Sequence, residues 1–430
     1  MHFYSTKRRY PLASLREAVM TGLAPDGGLF LPERIPLIPS AFFNNIADMS
    51  IRDIGYVVAN LMLGDDIDSE EIRRIVNETF SFNVPLVKVD DRIFSLELFH
   101  GPTLAFKDVG ARFLARIMGH YSDGKKKVKV LVATSGDSGG AVAAGFQGVP
   151  GVEVYVLYPH NLLTPFQKAQ LNQGGMNVHP IEVLGTFDDC QTMVKEAFGD
   201  PDLRSRMELT SANSINICRL LPQTFYFFYA YAALAQREGT GDGVVISVPC
   251  GNLGNLTAGL LAAKMGLPVK RFAVANNIND TTVRWLETGN FEPKRSVHTV
   301  ACAMDVGNPS NIDRILDIFA DEVATLRNIV RGYTVTDEEI LSTMSVTYCA
   351  DNYLPDPHGA AALAALHRDL QPGEKGIFLE TASPSKFAAT VERATGVKYP
   401  PAPASAHSPS HHPRISASTD ALRKILCSDL

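Results

Sequence analysis

The chain has 430 residues, 45% hydrophobic and 20% charged, a composition that suits a soluble globular protein with more than one core. Its formal net charge of -6 provides no basic field for nucleic acid, so an anionic ligand has to be held by local groups. Six scattered cysteines (Cys190, Cys218, Cys250, Cys302, Cys349, Cys427) form no C-x-x-C pair and no apolar run reaches membrane-spanning length, which argues against a zinc site, a disulfide framework or a membrane span and for a cytoplasmic protein with reduced thiols.

In chain order, the first ninety-odd residues read as turns and amphipathic helices. Ala24-Pro25-Asp26-Gly27-Gly28 is a turn before the short apolar Leu29-Phe30-Leu31. Asp68-Ser69-Glu70-Glu71 opens a helix with acidic residues in its first turn. Phe99-His100-Gly101-Pro102-Thr103-Leu104-Ala105-Phe106-Lys107-Asp108 then isolates one lysine among apolar neighbours. Desolvation of such an amine lowers its pKa and frees it to attack a carbonyl, whereas the commoner lysine simply opens a helix with its head in water.

From residue 128 strands alternate with helices. Strands are predicted over 128–133, 152–158, 177–183, 244–248, 271–275 and 376–379, with a Thr164-Pro165-Phe166-Gln167 capping box and a helix over 188–198 among the connections. Alternation of this kind means parallel sheets covered on both faces. Residues 400–413 are rich in Pro, Ala, Ser and His and read as an irregular linker, with His407, His411 and His412 as part of a polar run rather than a metal site. Residues 421–426 read as a last short helix.

Four constellations carry chemistry. Cys250-Gly251-Asn252-Leu253-Gly254-Asn255 follows a strand and enters a helix. Its glycines allow close backbone approach, and helix N-terminal amides favour an anion, so it reads as a phosphate cradle or as a plain strand-to-helix turn. The spacing is not G-x-G-x-x-G, and the next strand ends in Ala275-Asn276-Asn277 where a dinucleotide fold has an acidic residue. The phosphate therefore belongs to something smaller. In Ser135-Gly136-Asp137-Ser138-Gly139, at another strand's carboxyl end, the hydroxyls of Ser135 and Ser138 suit a carboxylate, although any tight turn uses such residues. Asn216 and Arg219, three apart on one helical face, suit a second phosphate or carboxylate, or else a surface salt bridge. In Glu380-Thr381-Ala382-Ser383-Pro384, a neutral hydroxyl can bond a ring nitrogen without forcing a proton onto it, and Ser383 suits a helix N-cap.

Taken jointly and in this order, the lysine after His-Gly-Pro-Thr, the Ser-Gly-Asp-Ser-Gly turn, the Gly-Asn-x-Gly-Asn loop and the late Thr-Ala-x-Pro-x-Lys-Phe resemble the threonine synthase family. These are pyridoxal-phosphate enzymes of the tryptophan-synthase-β fold type, and the resemblance runs from Pro25-Asp26-Gly27-Gly28-Leu29-Phe30 to about Tyr399. It implies an α/β fold of type II: two open, mostly parallel sheets flanked by helices, the cofactor in a cleft between domains, and a mainly helical N-terminal segment. The matching division is an N-terminal segment 1–95 packed on the large domain, a lysine-bearing segment 96–124 of the large domain, a small α/β domain 125–212, a large α/β domain 213–399 with the phosphate loop, and a linker-like tail 400–430.

The resemblance also implies that Lys107 is the catalytic lysine and holds pyridoxal 5'-phosphate. Gly251, Asn252, Leu253, Gly254 and Asn255 would cradle its phosphate, Thr381 would face the pyridine nitrogen, and Asp137 would lie near the ring hydroxyl. The implied reaction makes L-threonine and phosphate from O-phospho-L-homoserine and water by γ-elimination and β-replacement, with an ammonia-lyase or phospholyase of the same fold as the alternative. Its three anions, cofactor phosphate, substrate carboxylate and substrate phosphate, match three candidate sites at 251–255, at Ser135 and Ser138, and at Asn216 and Arg219. The implied partner is a small anionic amino acid, with no metal, no nucleic acid and no membrane, for a monomer or homodimer. The chain departs from the family pattern at Val109, Cys250, Leu253 and Ser383.

Overall fold

The computed structural model describes residues 1–122, 128–172, 175–239, 241, 243–320, 322–403 and 412–428. The chain divides into two compact units, the first made of residues 1–33, 107–219 and 403–430, the second of 34–106 and 220–402.

The first unit is built on a five-stranded, all-parallel sheet in the order Arg414–Ser416, Val178–Leu184, Val152–Pro159, Val128–Ala133, Glu208–Ser211. Val128–Ala133 is buried at every position, as a parallel strand with helices on both faces must be. Helix Asp137–Phe146 packs against helix Lys107–Tyr121 with almost no side chain between them, since a methyl at Gly145 would lie 3.0 Å from the Ala111 carbonyl carbon. The expected capping box is present on helix Pro165–Asn172, where Gln167 N donates to Thr164 Oγ1 (3.2 Å) and Thr164 N to Gln167 Oε1 (3.1 Å).

The second unit carries a six-stranded sheet in the order Val330–Thr334, Val269–Asn276, Val244–Pro249, Gly376–Glu380, Ile93–Glu97, Leu86–Lys88. All neighbours run parallel except the hairpin of Leu86–Lys88 and Ile93–Glu97. The central strands Val244–Pro249 and Gly376–Glu380 are buried throughout, so their carboxyl ends project loops from a fully packed layer. No helix among the described residues is long and apolar enough to cross a membrane.

The two sheets, one parallel and one parallel but for its edge hairpin, with covering helices are the architecture the alternation predicts. The division of the chain differs from the expected one, with residues 1–33, 107–124, 213–219 and 403–430 all grouped with the first unit. Helix Lys107–Tyr121 groups with the first unit, not with the large domain, because its small residues let it approach neighbouring backbone; a methyl at Gly110 would lie 2.8 Å from the Arg219 carbonyl oxygen. Residues 1–33 also group with the first unit, where Asn216 Nδ2 (2.9 Å) and Thr210 Oγ1 (3.3 Å) both reach the Val19 carbonyl.

The tail beyond residue 412 is not a linker. Arg414–Ser416 extends the sheet, and Leu422 and Leu426 of helix Thr419–Cys427 are fully buried. Lys129 Nζ, itself buried, donates to the Leu426 carbonyl (2.6 Å). His412 is bonded to Tyr158 (2.6 Å), while His407 and His411 lie outside the described residues.

Candidate active site

The glycine loop occupies the carboxyl end of strand Val244–Pro249 and leads into helix Gly254–Lys264. The carbonyls of Pro249, Cys250, Asn252 and Leu253 are engaged from behind. Asn255 Nδ2 donates to the Pro249 carbonyl (2.7 Å), Asn276 Nδ2 to that of Cys250 (2.8 Å), and Asn311 Nδ2 to that of Asn252 (2.9 Å). The Leu253 carbonyl accepts from Thr257 N (2.9 Å) and Thr257 Oγ1 (2.7 Å). The backbone N–H groups of residues 251–255 donate to no acceptor among the described residues. In a trans peptide the N–H points opposite to its carbonyl, so anchoring the carbonyls turns the amides outward as a set of donors. Such a nest at a helix N-terminus is an anion site, and its donors and glycine clearance fit the phosphate of pyridoxal phosphate.

Two positions show how tightly that loop is specified. Leu253 has φ +61°, a left-handed conformation that a leucine adopts only when its surroundings impose it. A methyl at Gly251 would lie 2.7 Å from the Ala303 carbonyl oxygen, closer than carbon and oxygen approach without a shift. Cys250, one residue earlier, is fully buried, and burial pushes its thiol well above the ordinary range, so it packs rather than reacts.

Strand Gly376–Glu380 runs parallel beside Val244–Pro249 with Gly376 opposite Val245 and Phe378 opposite Ser247. Continued, that register brings Thr381 level with Cys250 at the same carboxyl edge. Thr381 is buried, and its carbonyl accepts from Phe106 N (2.9 Å), while Ser383 N donates to the Leu104 carbonyl (3.0 Å). The segment before the lysine is thus pinned antiparallel to Thr381–Ser383, with Leu104 again left-handed at φ +56°. Lys386 Nζ secures it further through the Thr103 carbonyl (3.2 Å). Lys107 is the next residue after Phe106; it is half-buried and begins helix Lys107–Tyr121. Ser383 accepts from Ser385 N (3.3 Å) and caps the one-turn helix Pro384–Phe387, as its position suggests.

In the first unit, Ser135, Asp137 and Ser138 share one turn after strand Val128–Ala133. Thr134 Oγ1 organises it by accepting from Gly136 N (3.0 Å) and Gly139 N (2.9 Å). Gly136 has φ +150°, and a methyl there would fall 2.2 Å from Gln167 Nε2. Ser135 is exposed and Ser138 half-buried. Neither their amides nor their hydroxyls bond to another described residue. Asp137 Oδ1 accepts from Gln167 Nε2 (3.2 Å).

Asn216 and Arg219 do not form an open anion fork. Asn216 is fully buried, and its amide donates to the carbonyls of Val19 (2.9 Å) and Ser211 (3.1 Å) while its oxygen accepts from Cys218 N (3.1 Å). Arg219 is 6% exposed and donates to the Ala212 carbonyl. Burial pulls its pKa down to about 10 against the opposing charge of Asp108. Both side chains hold the 211–219 segment together, which a spacing of three could not reveal. Conversely, Asn276 and Asn311, which anchor the loop carbonyls from 26 and 59 residues away, carry no local signal that reading along the sequence would find.

Family comparisons agree with this geometry. The chain matches the family described as pyridoxal-phosphate dependent enzyme over residues 83–381. It also matches the threonine synthase N terminus over 2–80 and the threonine synthase C-terminal region over 359–421. It is 41% identical to the threonine synthase of Escherichia coli K12, over 92% of this chain and 91% of that one. It is 40% identical to that of Haemophilus influenzae, over 93% and 92% of the two chains. The crystal structure of threonine synthase from Escherichia coli superposes over the whole of both chains with a TM-score of 0.91 at 39% identity. A pyridoxal-phosphate-bound threonine synthase from Brucella melitensis does so with a TM-score of 0.92 at 30% identity, over 99% of this chain and 98% of that one. Maize serine racemase, at 18% identity and a TM-score of 0.55, shares the fold alone. With the amide cradle, the strand-end threonine and the lysine segment all on one chain of this architecture, the protein belongs to the threonine synthase family of pyridoxal-phosphate dependent enzymes.

Proposed function

We propose that this threonine synthase converts O-phospho-L-homoserine and water to L-threonine and inorganic phosphate, with Lys107 as the lysine that carries the cofactor. The observation that supports the reading most directly is the loop 251–255, where the Cys250, Asn252 and Leu253 carbonyls are anchored and the amides are left as donors for a phosphate. Bound pyridoxal phosphate supplies the electron sink for charge developing beside the substrate amine. With the cofactor bound, Lys107 would hold it and would serve as the base that removes the substrate Cα proton and as the group that manages protons at Cβ. Thr381 offers a neutral hydroxyl to the pyridine nitrogen, so the ring need not carry a proton there. Asp137, oriented by Gln167, is assigned to the side of the ring hydroxyl. Ser135 and Ser138, with their outward amides, are assigned to the substrate carboxylate. Asn216 and Arg219 support that unit from within and touch no substrate.

The test is product analysis on holoenzyme given O-phospho-L-homoserine. Threonine and phosphate in equal amounts are expected. A keto acid with ammonia would overturn the synthase reading in favour of an ammonia-lyase. Borohydride reduction followed by peptide mapping is expected to fix the cofactor on the peptide containing Lys107, and a Lys107→Ala protein that still fixes it would remove the role given to that lysine.

A further inference from the structure

A buried polar chain lies behind the glycine loop, in the same unit, and the reaction as described makes no use of it. Helix Pro357–Asp369 begins at Asp356, whose Oδ1 accepts the Gly359 amide (2.7 Å) and caps the helix. The other Asp356 oxygen meets His358 Nδ1. Across the ring, His358 Nε2 accepts the backbone amide of Ala303 (3.1 Å). The Ala303 carbonyl is the atom against which Gly251 packs with no room for a methyl. In the other direction, the Asp356 amide donates to Glu380 Oε1 (2.5 Å), and Glu380 immediately precedes Thr381. A methyl at Gly359 would fall 1.5 Å from Glu380 Oε2, so the helix start and the strand end are in direct contact.

These groups are deeply buried: Asp356 and Glu380 are 0% exposed and His358 is 2%. An N-cap needs only the first of them. His358 stands edge-on to Phe387 with ring centroids 5.1 Å apart, a setting in which an apolar side chain would avoid the desolvation that an imidazole incurs. Burial and the Asp356 charge hold the Glu380 carboxyl well above the usual carboxylate range, so it stays protonated. At His358 burial disfavours a second proton, while Asp356 and Cys302 favour one and raise the pKa to about 10. The geometry stands against that second proton, because the Ala303 hydrogen already aims at Nε2: that nitrogen is an acceptor, and the single ring proton sits on Nδ1 facing Asp356.

We propose that Asp356 and His358 are positioning residues for the cofactor. Through Ala303 they set the backing of the Gly251 loop, and through Glu380 they tie that backing to the strand end that carries Thr381. The two ends of the cofactor are thereby held in register by one hydrogen-bonded chain. This rests on the reading of 251–255 as the phosphate cradle.

The experiment compares full-length apoenzyme binding pyridoxal phosphate with the same protein binding pyridoxal, which lacks the phosphate. His358→Leu removes the acceptor for Ala303 and is expected to weaken pyridoxal phosphate roughly 10- to 100-fold while changing pyridoxal little. His358→Gln restores an acceptor oxygen and is expected to recover most of the affinity. Asp356→Asn keeps the oxygen that caps Gly359 but turns an amide toward His358 Nδ1. The ring proton is then driven to Nε2, against Ala303, so the same selective loss is expected; this variant carries the test if His358→Leu does not fold. Gly251→Ala controls for the underlying reading, since it pushes a methyl directly into the cradle. If Gly251→Ala weakens both ligands alike, the cradle reading fails. If it discriminates between them while the His358 and Asp356 variants do not, or if His358→Gln gives no recovery, the positioning role is overturned.

Discussion

Replacing Glu182 by Gln isolates what fastens the C-terminal strand to the first unit. Glu182 lies on strand Val178–Leu184 directly opposite Arg414, with its side chain only 7% exposed. Its carboxylate receives Arg414 through Nε (2.9 Å) and Nη2 (2.8 Å), with His160 Nδ1 at 3.1 Å and Lys168 Nζ at 3.4 Å. Burial opposes ionisation, yet Arg414, His160 and Lys168 outweigh it and hold the carboxyl at about 2, against an ordinary 4.5. At about 1.4 kcal/mol per pH unit that difference is at most about 3.5 kcal/mol. Arg414 is 54% and Lys168 37% exposed, so solvent screening reduces it to roughly 1–2 kcal/mol.

A carboxyl whose pKa falls on folding stabilises the fold above its unfolded value and loses that contribution as the pH drops. Here the increment is complete above about pH 5 and disappears between 4.5 and 2. Glu182→Gln is therefore expected to raise amide hydrogen exchange across residues 414–427 by roughly 5- to 30-fold at neutral pH. Trp285, the single tryptophan, belongs to the other unit and its fluorescence serves as an unmoved control. Equal protection of the strand in both proteins at neutral pH would refute the reasoning. So would a variant that loses protection between pH 5 and 3 as steeply as the parent.

Asn216→Ala removes the donor to Val19 and Ser211 inside a closed pocket, so thermal stability should fall by about 1–3 kcal/mol with KM little changed; a large rise in KM at unchanged stability would reinstate a substrate contact. Gly136→Ala places a methyl 2.2 Å from Gln167 Nε2 at a φ of +150°, so the turn carrying Ser135 and Ser138 must move, and substrate KM should rise about tenfold or more. An unaltered KM in a folded Gly136→Ala enzyme would detach that turn from substrate binding. Iodoacetamide on native enzyme should label the exposed Cys302 and Cys349 first, while Cys218 and Cys250, whose thiols burial pushes up, react only after denaturation. Mass mapping that finds Cys250 among the first labelled would contradict the packed loop.

What could be read from the sequence was what neighbouring residues determine among themselves. Val128–Ala133 reads as a buried parallel strand because Val128, Val130, Leu131 and Val132 make a short β-rich run, and Thr164 with Gln167 announces a helix start because the two residues complete each other's bonds. Short strands without such a signature, Glu208–Ser211 and Arg414–Ser416 among them, exist because a sheet edge was available to pair with. Their sequences alone did not separate them from loop. Arg219 shows the opposite failure: its spacing from Asn216 was right for a fork, but spacing carries no information about burial, and burial determined what the pair does.

The glycines show most clearly where local reading stops. Gly251, Gly136 and Gly359 can each be recognised in the sequence as places where the backbone lacks a side chain, but the occupant of that space comes from far along the chain. It is the Ala303 carbonyl at Gly251, the Gln167 amide at Gly136 and the Glu380 carboxyl at Gly359. On the reading proposed above, the anion cradle needs the first contact to press its loop into shape, and that contact needs Ala303, which bonds to His358. A residue with no motif around it thus sits behind the most recognisable motif of the chain. The same separation is why His358 and Asp356 passed unnoticed in the sequence: their role depends on a bond to a backbone amide 55 residues away, and no side-chain pattern marks a backbone amide.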